Sequence, residues 1–566
     1  MSNFKPQVEE YSFYDLFVPF TSKRAVILII IIGVGVYFNA LFGEFLTDDI
    51  IQIVNNPVMH SVNNIFTFFI SPGNAGVEKS LFYYRPIPYS IYTFFYSIFG
   101  QATFFYHLFQ IALHITSAIF IYKIFNKFFP LVISFILALV FLVHPINVEA
   151  VSWITYLQDT IYVFFGIIAF YLFQEKKSKS TTKNAVIILL ITASLFSKET
   201  GVLFILIILL YTILFKRKSQ LKFSILIAVI PIGMYVFIRF LLANNYYAST
   251  HLNDAIIKGN LLTLPKMIFY YISTFFFPKD LAITQHWFVT ATSFNDFYFP
   301  LIADILVFGL IFILGGFIYI KRREQFKVYM FFLCWFILGL LPHLALWLLD
   351  MTVADRWFYF AGIGLLGLFG VLFSSIKLYS EKSRLIIIVL LTIIISALSV
   401  RTMIRNSNFQ NNLTLLEHDA PISHNFTMDK ALVQEYLRQK DYKSAKIELS
   451  QMAQEYPKNA TLIWYQAQTE LVLGNIPQAK YYLANLIGTP YELEAYKLLS
   501  KIIVLYDKDL NSAEKLLKVA SSKYTKDKFI WESLAITEYK LGKKQEAQNA
   551  ATHIGVNLNT LIENTK

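Results

Sequence analysis

Charge is what this sequence has least of. Asp, Glu, Lys and Arg make up 15% of its 566 residues, where a soluble globular domain carries about 25%. The deficit falls on residues 1–405, which are dominated by Phe, Ile, Leu and Tyr, while residues 406–566 have an ordinary soluble composition. Cysteine is nearly missing as well. The single Cys334 excludes an intramolecular disulfide and lies inside an apolar run, where packing is its natural role. No His/Cys cluster has zinc spacing and no Walker loop is present; GVGVYFNALFG lies within an apolar run and is no phosphate cradle. The first apolar run is long and no small-residue cleavage site follows it, so a cleaved signal peptide is not expected. The net charge of +12 comes from basic residues grouped between apolar runs. That is the pattern of membrane topology rather than of nucleic-acid binding.

What is present is a series of apolar runs. A helix needs about 20 apolar residues to cross a bilayer, and about eleven stretches qualify: 25–43, 104–122, 129–147, 154–173, 184–197, 200–215, 223–242, 299–320, 328–347, 357–376 and 385–403. The fifth and sixth are short and abut at SKET, as a tight helical hairpin would. Basic residues mark one side: Lys23 and Arg24; Lys123 and Lys127; Lys176, Lys177, Lys179 and Lys183; Lys216, Arg217, Lys218 and Lys222; Lys321, Arg322, Arg323 and Lys327; Lys377, Lys382 and Arg384. With eleven spans all of these fall on the cytoplasmic side. The N-terminus is then inside and the C-terminal region outside. Two long outer segments, 44–103 and 243–298, are rich in Phe, Tyr and Pro, and IPYSIYTFFYSIFG and LPKMIFYYISTFFFP read as interfacial helices.

The C-terminal region repeats. Ala445, Ala479, Ala513 and Ala547 recur every 34 residues, with Leu449, Leu483, Leu517 and Ala551 four positions on and Leu437, Leu471, Leu505 and Tyr539 eight positions before. A 34-residue helix–turn–helix period with a small residue in the second helix resembles the tetratricopeptide repeat. Small side chains let the second helix approach its neighbour, and the leucines form the core shared by stacked units. Gly474 and Gly542 fall in turns, Pro457 and Pro490 end helices, and Lys508 stands where a turn glycine is expected. The expected fold is therefore all-α: a polytopic membrane domain over 1–405 and an extracytoplasmic tetratricopeptide α-solenoid over 406–566. Arrays of this kind bind peptides or proteins in a groove; capping or dimerising the membrane domain is the plainer alternative.

Ionisable residues gather at the expected outer ends of the spans: Asp48 and Asp49 after the first, Arg85 in YYRP, His144 and Glu149 in HPINVEAVSW, Asp159, Lys198 and Glu199 in SKET, and Asp355 and Arg356 in VADRWFYF. Charges near a bilayer are costly and are usually paired or functional. A carboxylate can take a proton from an acceptor hydroxyl, and Arg, Lys or His⁺ can hold a phosphate and the charge it gains on leaving. A rim with both suits a polyprenyl-phosphate sugar, whose tail lies in the bilayer and whose head lies at the rim. Simpler roles exist for each residue. Asp48–Asp49 can cap a helix, Lys198–Glu199 and Asp355–Arg356 can pair locally, Glu149 can be structural, and His107 and His114 suit interhelical hydrogen bonds.

The ordered set DD after the first span, IVNNP, YRP, FYHLFQIALH, HPINVEAV, SKE, DRWFYF and a repeat tail resembles the transmembrane and tetratricopeptide-repeat-containing protein O-mannosyltransferases, of the GT-C class of multispanning glycosyltransferases. The resemblance implies inverting transfer of a sugar from a polyprenyl-phosphate donor to Ser or Thr of a translocated protein, metal-independent or metal-assisted. It places the essential first-loop acid at Asp48–Asp49, with Asp48 as base and Asp49 as orienter or metal ligand. Arg85, His144, Lys198 and Arg356 become the donor-phosphate candidates, with Tyr84, Glu149, Asp159, Glu199 and Asp355 in support. Two departures stand out: Leu157-Gln158-Asp159 lacks the family's usual Arg, and Asp355-Arg356 replaces its usual Glu-Arg. The Lys/Asn/Ile/Phe-rich composition and the small array point to a bacterial relative, in the plasma membrane with its repeats outside, whose sugar need not be mannose. A eukaryotic chain would lie in the endoplasmic-reticulum membrane with lumenal repeats. The expected partners are the lipid-linked sugar and acceptor proteins, not nucleic acid. Two other readings differ in kind. A non-catalytic scaffold anchoring the array needs no rim of mixed charge, and a lipid-sugar flippase would carry its polar residues near the midplane.

Overall fold

The computed structural model describes residues 20–70, 84–175, 181–215, 218–239, 254–344, 351–375, 381–423 and 425–563. Of the expected cytoplasmic cations, Lys176, Lys177, Lys179, Lys216, Arg217 and Lys377 lie outside these ranges, as do the ends of the expected spans at 240–242, 345–347 and 376 and parts of both outer segments. The chain divides into two compact units, Met1–Ser423 and His424–Lys566.

The first unit is a multipass bundle of packed helices. Among the described residues, eight are long and apolar enough to cross a membrane: Ser22–Phe42, Thr103–Phe125, Ile154–Gln174, Gln220–Phe237, Phe294–Lys321, Arg323–His343, Asp355–Phe373 and Leu385–Asn408. A ninth is a bent pair, Leu131–Val143 with Pro145–Ser152, at an angle of 50°. The break has a local cause: Pro145 lacks an amide hydrogen and forces His144 out of helical geometry, to ψ 123°. Two further helices, Thr181–Ser197 and Glu199–Leu214, are apolar but shorter. All eleven expected stretches are thus helical over most of their described residues, and among the described residues eight or nine helices reach spanning length.

Apolar side chains on these helices face either one another or the bilayer. Helix Asp355–Phe373 is mostly buried, whereas Phe294–Lys321 and Leu385–Asn408 are mostly uncovered, as helices at the edge of a bundle would be. Close approach depends on small residues where lipid offers no hydrophobic gain. A Cβ at Gly364 would lie 2.4 Å from the Phe336 nitrogen, so the helices Phe358–Phe373 and Arg323–Leu340 meet at backbone distance. The described residues contain no strand, only one antiparallel bridge between Gln285 and Val353.

The second unit is a solenoid-like run of short helices: Phe426–Arg438, Tyr442–Glu455, Ala460–Val472, Ile476–Ala484, Glu492–Ile502, Leu510–Lys523, Lys528–Lys540, Lys544–His553 and Leu558–Glu563. Ala445, Ala479, Ala513 and Ala547 are each fully buried. The residues 34 apart at 440, 474, 508 and 542 all have positive φ: 62° at Lys440, 78° at Gly474, 55° at Lys508 and 79° at Gly542. Lys508 therefore adopts the left-handed turn that Gly474 and Gly542 adopt without steric penalty.

Candidate functional site

The first helix ends in a 3-10 turn, Phe38–Phe42, and the chain then makes the short helical turn Thr47–Asp49. The two carboxylates there divide their tasks. Asp49 is fully buried; its Oδ2 accepts the Leu46 amide at 2.9 Å and its Oδ1 the Thr155 amide at 2.8 Å. Burial pushes its pKa up to about 7, against the opposing pull of those donors. Asp48 is half-buried, and its Oδ2 accepts the Tyr156 hydroxyl at 3.4 Å.

Tyr156 links this turn to residues 200 positions away. The Arg356 guanidinium lies 3.9 Å above its ring. Arg356 also forms a buried ion pair with Glu149, whose Oε2 accepts the Arg356 amide at 2.9 Å. Beside it Tyr270 donates its hydroxyl to Asp355, whose other oxygen has no hydrogen-bond partner among the described residues. A second ion pair joins Lys198 to Asp159, and a third joins Arg85 to Glu199 through Nε at 3.0 Å and Nη2 at 2.9 Å. The Lys198 pKa is lowered, first by burial and further by the positive charges of Arg85 and Arg356, against the attraction of Asp159. The three pairs are thus close enough to act on one another.

The remaining two expected residues, Tyr84 and His144, make contacts of their own. Tyr84 donates to the Phe69 carbonyl at 2.9 Å and packs with Phe196 and Tyr235. His144 stacks on Phe275, bonds the Phe275 carbonyl through Nε2 at 2.9 Å, and accepts the Ile146 amide at Nδ1 at 3.2 Å. One ring nitrogen thus caps the bend of the helix pair, and the other reaches the helix Asp254–Phe276. His107 and His114 also make interhelical contacts, to Gly43, Leu142 and Tyr359.

Several residues were not foreseen. Tyr156 and Tyr270 are two tyrosines among 35, and nothing local separates them from the rest. Arg405 makes a buried bidentate pair with Asp419 at 2.6 and 2.9 Å, and Asp419 also contacts His418 Nδ1 at 2.6 Å and the Ile283 amide at 2.8 Å. Burial raises the Asp419 pKa, but the Arg405 guanidinium together with the hydrogen bonds from His418 and the Ile283 amide outweighs it and holds the group below its usual value. The one group of carboxylates able to ligate a metal among the described residues is Glu514, Glu538 and Glu546, in the second unit. Lys518 and Lys543 already offset most of its charge, with contacts to Glu514 and Glu546 of 2.6–2.8 Å.

Residues 85–242 match the family model described as dolichyl-phosphate-mannose-protein mannosyltransferase. Over this stretch the chain is similar to protein O-mannosyltransferases. The matched stretch holds Arg85, His144, Glu149, Asp159, Lys198 and Glu199, but neither the Asp48 turn nor Arg356. Among curated relatives, a protein O-mannosyl-transferase of Caenorhabditis elegans is 23% identical over 69% of this chain and 57% of its own length. Protein O-mannosyl-transferases of Mus musculus and Homo sapiens are 26% and 25% identical, each over 32% of this chain and 20% of theirs. The chain therefore spans little more than half of the worm protein and a fifth of the mammalian ones. These relatives are eukaryotic.

Proposed function

We propose that this chain is a GT-C glycosyltransferase of eleven spans that moves a sugar, mannose by likeness to its relatives, from a polyprenyl-phosphate donor to Ser or Thr hydroxyls of acceptor proteins. Transfer takes place on the extracytoplasmic side: the periplasmic face of a bacterial plasma membrane, or the lumen of the endoplasmic reticulum in a eukaryote. Asp48 accepts the proton of the acceptor hydroxyl. The hydroxyl oxygen bonds to the anomeric carbon from the face opposite the phosphate, the carbon–oxygen bond to phosphate breaks, and the phosphate leaves with the electron pair. The configuration inverts. Arg85, Lys198 and Arg356 offset the charge gathering on that phosphate. Asp49, with both oxygens held by amides, orients the turn rather than reacting. The second unit, read as tetratricopeptide repeats, recruits acceptors in its groove.

What supports this most is Tyr156, which hydrogen-bonds Asp48 on one side and carries Arg356 on its ring on the other. It joins a half-buried carboxylate to the cation cluster. The test is mannose transfer from polyprenyl-phosphate mannose to a Ser/Thr peptide, read by mass spectrometry, with full-length protein in proteoliposomes. Asp48→Asn is expected to lose about 10²–10⁴-fold in rate, the usual worth of a general base. Wild-type transfer by both folded Asp48→Asn and Asp49→Asn would refute the assignment.

A second reading has one observation in its favour. Arg85, Lys198 and Arg356 each already have a carboxylate partner, and such a network could simply hold the bundle of a scaffold together. A folded wild-type protein that transfers no sugar from any polyprenyl phosphate would favour it.

A further inference from the structure

We infer that Asn412 is a positioning residue for the first-loop carboxylates, and that residues 403–412 clamp the turn that carries them. The inference rests on the transferase reading above. Asn412 lies in the segment that composition assigns to the soluble tail, yet it packs in the first unit, at the start of the helix Asn412–Ser423. Its Oδ1 accepts both the amide of Thr47, at 2.8 Å, and the Thr47 hydroxyl, at 2.9 Å. An amide oxygen has the two lone pairs this requires, and Thr47 immediately precedes Asp48.

The bond to Thr47 is one of a series. The Glu44 amide donates to the Gln410 carbonyl at 2.8 Å, and the Gln410 side chain donates to the Asn39 carbonyl at 2.8 Å. Asn39 donates to the Met403 carbonyl at 2.8 Å, and Asn406 donates to the Val36 carbonyl at 3.0 Å while accepting from Ser152 at 2.9 Å. Gly43 sits so close that a Cβ there would lie 3.0 Å from the Phe409 carbonyl oxygen. The end of the first helix is therefore stitched along one side to residues 403–412. On the other side, Asp49 is anchored to Thr155.

Asp48 is thus flanked by two fixed neighbours. That geometry matters for a general base, since a misplacement of about 1 Å can reduce the rate about 10²-fold. Asn412 also heads the sequon Asn412-Leu413-Thr414. Its side chain is buried and its oxygen doubly occupied, and the Thr414 hydroxyl bonds the Asn408 carbonyl at 3.1 Å.

The test uses full-length protein in proteoliposomes, with mannose transfer and hydrogen exchange read in parallel. Asn412→Ala is expected to lower kcat at least tenfold, to leave KM for donor and peptide within twofold, and to speed amide exchange in residues 44–50. Asn412→Asp keeps an acceptor oxygen at the same reach and removes the sequon; it is expected to restore both readouts. Wild-type kcat and exchange in Asn412→Ala overturn the proposal, as does failure of Asn412→Asp to restore them. If the wild-type protein itself transfers no sugar, the transferase reading fails, but the exchange arm still decides the clamp. If Asn412→Ala exchanges fast throughout, Thr47→Val is read instead: it deletes one of the two bonds, and an unchanged kcat and exchange profile in it overturn the proposal.

Discussion

Arg356 does two things that a lysine cannot do together. Its planar guanidinium stacks on Tyr156 and also donates to Glu149, where an ammonium would offer a point charge with no face. Arg356→Lys is therefore expected to lose most of its transfer rate while remaining folded. Arg356→Ala leaves Glu149 buried without a counter-charge, a loss of about 3–5 kcal/mol. The double variant Glu149→Gln with Arg356→Ala should recover the melting temperature but not the activity, which a thermal scan beside the transfer assay would reveal. Asp49 makes a prediction about pH. Its folded-state pKa is raised from 3.8 to about 7, so the folded protein keeps a proton that the unfolded chain has already released. The stability this contributes is complete below about pH 4 and is lost as pH rises through about 7. The wild-type melting temperature should fall between about pH 4 and 7 and level off above that, and Asp49→Asn, which cannot ionise, should flatten that slope. Equal slopes would mean that Asp49 does not titrate there. The types and positions of these residues were legible in the sequence, because charges at the edges of apolar runs stand out. Their partners were not: Arg85 pairs with Glu199, Lys198 with Asp159 and Arg356 with Glu149, across 114, 39 and 207 residues. No local pattern encodes such separations.

The elements were legible wherever a period or a breaker marked them. The 34-residue spacing located the buried alanines, and Pro145 interrupts a run that hydropathy alone reads as one continuous span. The turn positions at 440, 474, 508 and 542 sharpen this. All four have positive φ, but two of them hold lysine. A non-glycine residue in the left-handed region is strained by about 1–2 kcal/mol, partly offset by the greater freedom glycine gives the unfolded chain. Lys508→Gly is therefore expected to stabilise the second unit by about 0.5–1 kcal/mol, seen as slower exchange in the helices Glu492–Ile502 and Leu510–Lys523. Gly474→Lys should do the opposite by a similar amount. What composition could not reveal is that residues 406–423 belong with the membrane unit. Their polarity reads as soluble, yet Asn406, Gln410, Asn412 and Asp419 are polar because they bond the first loop and Arg405 inside that unit.

For the whole molecule, the proposed topology turns on the parity of the span count rather than on the count itself. Thr181–Ser197 and Glu199–Leu214 are short and joined at a tight turn. Whether the pair crosses fully or dips in and returns, it leaves the chain on the side where it began. Counted over the described residues, the spans are then eleven or nine, both odd, provided the bent pair Leu131–Val143 with Pro145–Ser152 crosses once. On the eleven-span reading proposed above, the two termini would lie on opposite faces, with the N-terminal one in the cytoplasm by the positive-inside bias. Because Cys334 is the only cysteine, a Cys334→Ser background gives a clean test. Ser22→Cys, Gln101→Cys, Asn126→Cys and Ser450→Cys all replace exposed or half-exposed positions next to helix ends or on the second unit. A membrane-impermeant maleimide applied from outside should label Gln101→Cys and Ser450→Cys, and should reach Ser22→Cys and Asn126→Cys only after permeabilisation. Labelling of Ser22→Cys and Ser450→Cys from the same side would make the total even. The repeats would then lie on the cytoplasmic face, across the membrane from any translocated acceptor, and the recruiting role assigned to them would fail while the chemistry of the Asp48 turn could stand.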